Sequence, residues 1–201
     1  MERVILVVTG FIGAGKSEAS GYIKSLGIPM FRTGDVIRKE VLNRGLELNT
    51  RNSEMIARKF REERGMDVAS RRVGEKIKKL GDSLVCVEGP RDMHEIEFLA
   101  TLGRVVIIIV KAPIETRFER TGRRKGRHLE PKTRDARTFE EFKWRDSKER
   151  ERGLDEVVST GKYTKHIIDN TGTKDELRKK IDDIISSLRH SGKRLKHQRK
   201  H

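Results

Sequence analysis

The stretch that most constrains this chain is Gly10-Phe11-Ile12-Gly13-Ala14-Gly15-Lys16-Ser17. It fits the phosphate-loop pattern G-x-x-x-x-G-K-[ST]. Val4-Ile5-Leu6-Val7-Val8 precedes it, an unbroken apolar run of the kind buried on both faces of a sheet. After it, Ala19, Tyr22, Ile23 and Leu26 recur at helical spacing. Strand, glycine loop and helix in that order aim backbone N–H groups and the positive end of a helix dipole at one point, where phosphate oxygens fit. Lys16 can then reach the β- and γ-phosphates, and the Ser17 hydroxyl can ligate Mg²⁺. The alternative is a glycine-rich turn followed by a surface lysine, and both flanks weigh against it. Residues 10–17 are expected to cradle a nucleoside triphosphate.

Further apolar runs predict strands at 30–33, 84–88, 104–111 and 165–169, beside the first at 3–9. Helical periods separate them, with capping-box spacing at Asp92/Glu95, Thr138/Glu141 and Thr173/Glu176. Hairpin signals are absent between the strands, so the expectation is an α/β chain with a five-stranded parallel sheet covered by helices on both faces. Three consecutive helices are expected between residues 35 and 80. Residues 122–137 form an arginine-rich stretch. One domain should span 1–190, followed by a basic, disordered tail at 191–201.

The net charge is +15, and Lys193, Arg194, Lys196, Arg199 and Lys200 leave +10 on the remainder. Anionic ligands account for part of that charge, and RNA is a possible partner for the tail. No apolar run is as long as a membrane span, and the N-terminus lacks signal-peptide features, so a cytoplasmic location is expected. Cys86 is the single cysteine, set in an apolar run, and reads as a buried thiol. The six histidines show no metal-ligand or catalytic spacing within the expected domain, His197 and His201 standing four apart only in the tail, and Trp144 reads as a packing residue.

Sheets of this kind bind ligands beyond the carboxyl ends of their strands. There the second strand runs into Thr33-Gly34-Asp35 with Arg38 a turn later, and the third into Glu88-Gly89-Pro90-Arg91. Asp35 and Glu88 are candidates to hold Mg²⁺ through its water shell, and Arg38 and Arg91 to grip a phosphate bidentately. A helix cap and a solvated turn are the competing readings for Asp35 and Arg91.

Thr33-Gly34-Asp35-Val36-Ile37-Arg38 matches T-G-D-x-x-R, which follows the second strand of adenylate kinase and its nucleoside-monophosphate-kinase relatives. Glu88-Gly89-Pro90-Arg91 resembles their D-G-x-P-R, one residue shorter and with Glu for Asp. The order of elements over residues 1–189 also looks like an archaeal family of adenylate-kinase-related P-loop NTPases. The resemblance implies that Thr33 and Gly34 touch an acceptor nucleotide while Arg38 and Arg91 hold its phosphate. It also implies that the helices between residues 35 and 80 form an acceptor-binding insertion and that residues 122–137 belong to a short lid. Lid-side arginines would then close over the transferred group, for which Arg120, Arg124 and Arg145 are the candidates. The loop Asp169-Asn170-Thr171-Gly172 resembles one that packs on the ATP base, which makes Asn170 a candidate; an Asx turn is the alternative. Ile12 replaces a usual Pro, and no Cys-x-x-Cys pair is present for a zinc lid.

Two functions are consistent with these residues. The first is phosphoryl transfer from Mg-ATP to a nucleotide-type acceptor such as AMP, or to dephospho-coenzyme A. The second is a nucleotide-dependent ATPase or binding protein acting on RNA or a ribonucleoprotein.

Overall fold

The computed structural model describes residues 2–122 and 138–197. Its strands are β1 (Val4–Thr9), β2 (Met30–Arg32), β3 (Leu84–Glu88), β4 (Arg104–Lys111) and β5 (Thr164–Asp169). They form one parallel sheet in the order β2-β3-β1-β4-β5. The central strands β1 and β4 are the most apolar, as burial on both faces requires.

Side chains alternate across this sheet and divide the core into two layers. Leu6, Val8, Cys86, Val106, Ile108 and Val110 face α1 (Lys16–Ser25) and α9 (Lys174–His197), meeting Ala19, Ile23, Leu177 and Ile181. Ile5, Val7, Val85, Val87, Val105, Ile107 and Ile109 face the other way. There they meet Val73 and Ile77 of α4 (Val68–Ile77), Ile96 and Leu99 of α5 (Met93–Ala100), and Val157 of α8 (Asp155–Ser159). Cys86 lies wholly inside, and burial pushes its thiol up out of the titrating range.

The expected helical insertion is α2 (Thr33–Asn43), α3 (Thr50–Arg64) and α4. Asn49 caps α3 by accepting the Asn52 amide at 2.8 Å. Pro113 lies just ahead of α6 (Ile114–Gly122) and accepts the Arg117 amide. Beyond it, α7 (Phe139–Glu149) begins after Thr138, whose hydroxyl accepts the Glu141 amide at 3.1 Å. A π-type turn at Arg150–Leu154 follows it, with Gly153 at φ 98°. The chain kinks there, because that φ lies outside the helical region. The α9 backbone stays helical to His197, past the boundary expected at residue 190. Among the described residues no helix is long and apolar enough to cross a membrane.

Candidate functional site

The glycine loop joins the carboxyl end of β1 to α1, where the sequence puts it. Gly15 caps α1 at φ 103°, a backbone state that disfavours a side chain, and a Cβ there would lie 2.2 Å from Asn170 Nδ2. Asn170 is buried and donates that amide to the Ala14 carbonyl at 2.8 Å. The end of β5 thus props the loop from behind. Lys16 Nζ donates to the carbonyls of Gly10 at 2.7 Å and Phe11 at 2.9 Å, so the ammonium lies over its own loop.

The loop's other flank is held by Arg117 of α6. Its guanidinium donates to the Ile12 and Ala112 carbonyls, both at 3.1 Å, and grips Asp146 of α7 through both carboxylate oxygens at 2.5 and 3.1 Å. Both side chains are only 4% exposed. The Phe11 ring lies against the guanidiniums of Arg150 at 4.4 Å and Arg117 at 5.2 Å.

Arg32 and Glu88 are register partners on β2 and β3, and their side chains pair at 2.7 Å. Glu88 also accepts the Ser17 hydroxyl at 2.7 Å and the Ser20 hydroxyl at 2.5 Å. Burial alone would raise the Glu88 carboxyl, but these hydrogen bonds and the Arg32 charge outweigh it and hold the group below its ordinary value. Glu88 is therefore ionised at neutral pH. The Ser17 proton points at Glu88, which leaves the hydroxyl lone pairs for a cation. Oxygen donors of this hardness fit Mg²⁺. Asp35 stands apart from them, exposed and paired with Arg38 one turn along α2.

Gly89 follows Glu88 at φ 105°, and a Cβ there would come within 2.7 Å of Thr33 Oγ1. That close approach brings the ends of β2 and β3 together. They open into a cleft of about 820 Å³ lined by Ile12, Lys16, Thr33, Gly34, Arg38, Glu88 and Arg91. The glycine loop and the expected acceptor residues therefore share one cavity.

Arg91 is held by Glu149 at the end of α7, at 2.6 Å, and Arg152 of the π-type turn holds the same carboxylate at 3.1 Å. Among the lid candidates, Arg120 lies on α6 with Nη1 buried and without a hydrogen-bond partner among the described residues. Arg145 is half-buried on α7, and Arg124 falls outside the described residues. Trp144 is 60% exposed, contrary to its reading as packing, with the Lys148 ammonium 5.9 Å from its ring.

Glu95 occupies the cleft wall, and its sequence signal was misleading. Its capping-box spacing predicts a bond to the Asp92 amide, yet its carboxylate accepts the Arg91 amide at 2.9 Å and the Ser70 hydroxyl at 3.3 Å. Burial raises this carboxyl to about 7, against the opposing pull of the Arg91 amide and the Arg61 and Arg91 charges. The folded protein thus binds this proton more tightly than the unfolded chain. The stability linked to Glu95 is full below about pH 4.5 and falls as pH rises through 7, by on the order of 3 kcal/mol. Glu95→Gln should remove that slope. Urea unfolding should show the variant gaining on the wild type between about pH 5 and pH 8.

The sequence profile of the AAA domain family matches residues 6–141. A UPF0200 protein of Hyperthermus butylicus is 40% identical over 161 residues, covering 80% of this chain and 83% of its own length. One from Methanosarcina mazei is 38% identical over 185 residues, covering 91% and 94%. Among solved structures, TT1252 from Thermus thermophilus superposes with a TM-score of 0.63 at 22% identity, over 94% of this chain and 99% of its own. Shikimate kinase from Aquifex aeolicus superposes with a TM-score of 0.51 at 16% identity, over 94% and 98%, a likeness of fold alone. With its glycine loop, sheet order and these relatives together, the chain belongs to the UPF0200 family of archaeal proteins and carries a P-loop nucleotide-binding domain with the fold of small kinases.

Proposed function

We propose that this protein transfers the γ-phosphoryl group of ATP to a nucleotide-type acceptor such as AMP. The observation that carries the reading is the single cleft in which Lys16 and Ile12 of the glycine loop face Thr33, Gly34, Arg38 and Arg91. A nucleotide switch needs no second anion site beside its γ-phosphate; a kinase does.

The loop amides and Lys16 would bind the triphosphate, with Asn170 positioning the loop. Ser17 and Glu88 would hold Mg²⁺, which when bound neutralises charge on the phosphates; Asp35 would act more remotely, through Arg38. Arg38 and Arg91 would orient the acceptor phosphate, and Thr33 and Gly34 would line its nucleoside. An acceptor oxygen then bonds to the γ-phosphorus as the bond from that phosphorus to the β–γ bridging oxygen breaks, leaving ADP. A phosphate acceptor is already anionic and needs no strong general base. Arg120, Arg124 and Arg145 are the lid-side groups proposed to stabilise the moving charge.

Arg38 is the cleanest test because its side chain is 46% exposed and its partner Asp35 stays in water if it is removed. Arg38→Ala should raise KM for AMP by about 10- to 100-fold, the loss of one charged hydrogen-bonding partner, and change KM for ATP little. Phosphate release that needs no acceptor and rises with added RNA would contradict the reading.

A further inference from the structure

The cleft carries more positive charge than one acceptor phosphate uses. On α3, Ile56 and Phe60 are buried, while Arg51, Arg58 and Arg61 share the opposite side and line the cleft. Arg152 faces them from the π-type turn, where its charge is shared between Glu149 at 3.1 Å and Glu54 at 3.9 Å.

Arg61 is the informative residue. It is half-buried, and among the described residues no carboxylate lies within ion-pair distance of it. Burial lowers its pKa from the ordinary value; Glu95 opposes that, while the charges of Arg152 and Arg91 add to it. Glu95 relieves Arg61 only in part, because its own carboxyl titrates near 7. Arg58 is 76% exposed and lies 3.8 Å from Glu62, so the unbalanced charge in the wall is chiefly that of Arg61 beside Arg91 and Arg152. Half-buried like charges are unfavourable unless an anion joins them.

We propose that Arg51, Arg58, Arg61 and Arg152 form a second anion subsite beyond the grip of Arg38 and Arg91, so that the acceptor is a nucleotide carrying a second phosphate group. This rests on the reading of the cleft as the acceptor site. One phosphate lies at Arg38 and Arg91 and accepts the transfer; the other lies along α3 and supplies binding energy remote from the reaction. A simple nucleoside monophosphate leaves the α3 wall empty.

Calorimetric titration of the full chain with adenosine 3′,5′-bisphosphate and with AMP tests this without requiring turnover. The bisphosphate should bind at least about tenfold tighter than AMP. Arg58→Ala with Arg61→Ala should weaken the bisphosphate by about 10- to 100-fold and AMP by less than about threefold. Arg61→Lys, which keeps a charge without the planar fork, should fall between. Equal affinities in the wild type, or equal losses for the two ligands, would overturn the subsite and assign Arg61 to a single phosphate grip. Tight, Arg61-dependent bisphosphate binding with no transfer to either ligand would instead overturn the phosphotransferase reading and leave the subsite standing.

Discussion

Lys16→Ala should lower ATP-dependent phosphoryl transfer by about 10³-fold or more while leaving the fold intact. The ammonium stands at the mouth of the glycine loop, between α1 and the cleft, and it reaches the Gly10 and Phe11 carbonyls. Both carbonyls lie in the loop itself. Charge developing on the γ-phosphoryl oxygens would lose its nearest mobile partner in a partly desolvated site. The check is turnover alongside a thermal melt. The variant should melt within a few degrees of the wild type yet lose the stabilisation that ATP confers on it. Full turnover in the variant would remove the glycine loop from the chemistry.

The second large effect concerns stability. Arg117→Ala should destabilise the protein by about 3–5 kcal/mol, because it strands the Asp146 carboxylate in the interior. Asp146 is 3% exposed; its other cation among the described residues, Arg150 at 3.7 Å, is itself 49% exposed and cannot replace a bidentate partner. The same substitution removes the donor to the Ile12 carbonyl, so the glycine loop loosens as the α6–α7 contact weakens. Asp146→Asn should cost less, since an amide oxygen can still accept one guanidinium N–H. Replacing both residues should cost less than the sum of the single changes, as a double-mutant cycle in urea would show. Additive losses would mean that Arg117 and Asp146 act independently.

Local signals were enough for the sheet. β3 and β4 have the bounds their apolar runs predict, and β1, β2 and β5 differ by one residue at one end. The glycine loop was equally legible, because its chemistry lies in eight consecutive residues. Legibility failed wherever a partner lies far along the chain. Arg117 meets Asp146 across 29 residues, and Glu88 meets Ser20 across 68, pairings that no spacing rule encodes. Arg32 carries no local signal although it adjoins Thr33, since only the β2–β3 register shows that it faces Glu88. Asn170 is a candidate base contact by resemblance alone; that its amide donates to the Ala14 carbonyl becomes visible only once β5 is beside β4. Glu95 shows the opposite failure, in which a correct local pattern predicts the wrong bond because burial redirected the side chain to Arg91.

The fate of the γ-phosphoryl group tests the account most directly. The full chain is supplied with Mg-ATP labelled at the γ-phosphate, with and without AMP or adenosine 3′,5′-bisphosphate, and the products are separated. The account predicts that label appears in the acceptor, that ADP forms in equal amount, and that both vanish in Lys16→Ala. Label found only in inorganic phosphate, at a rate unchanged by either acceptor, would contradict it.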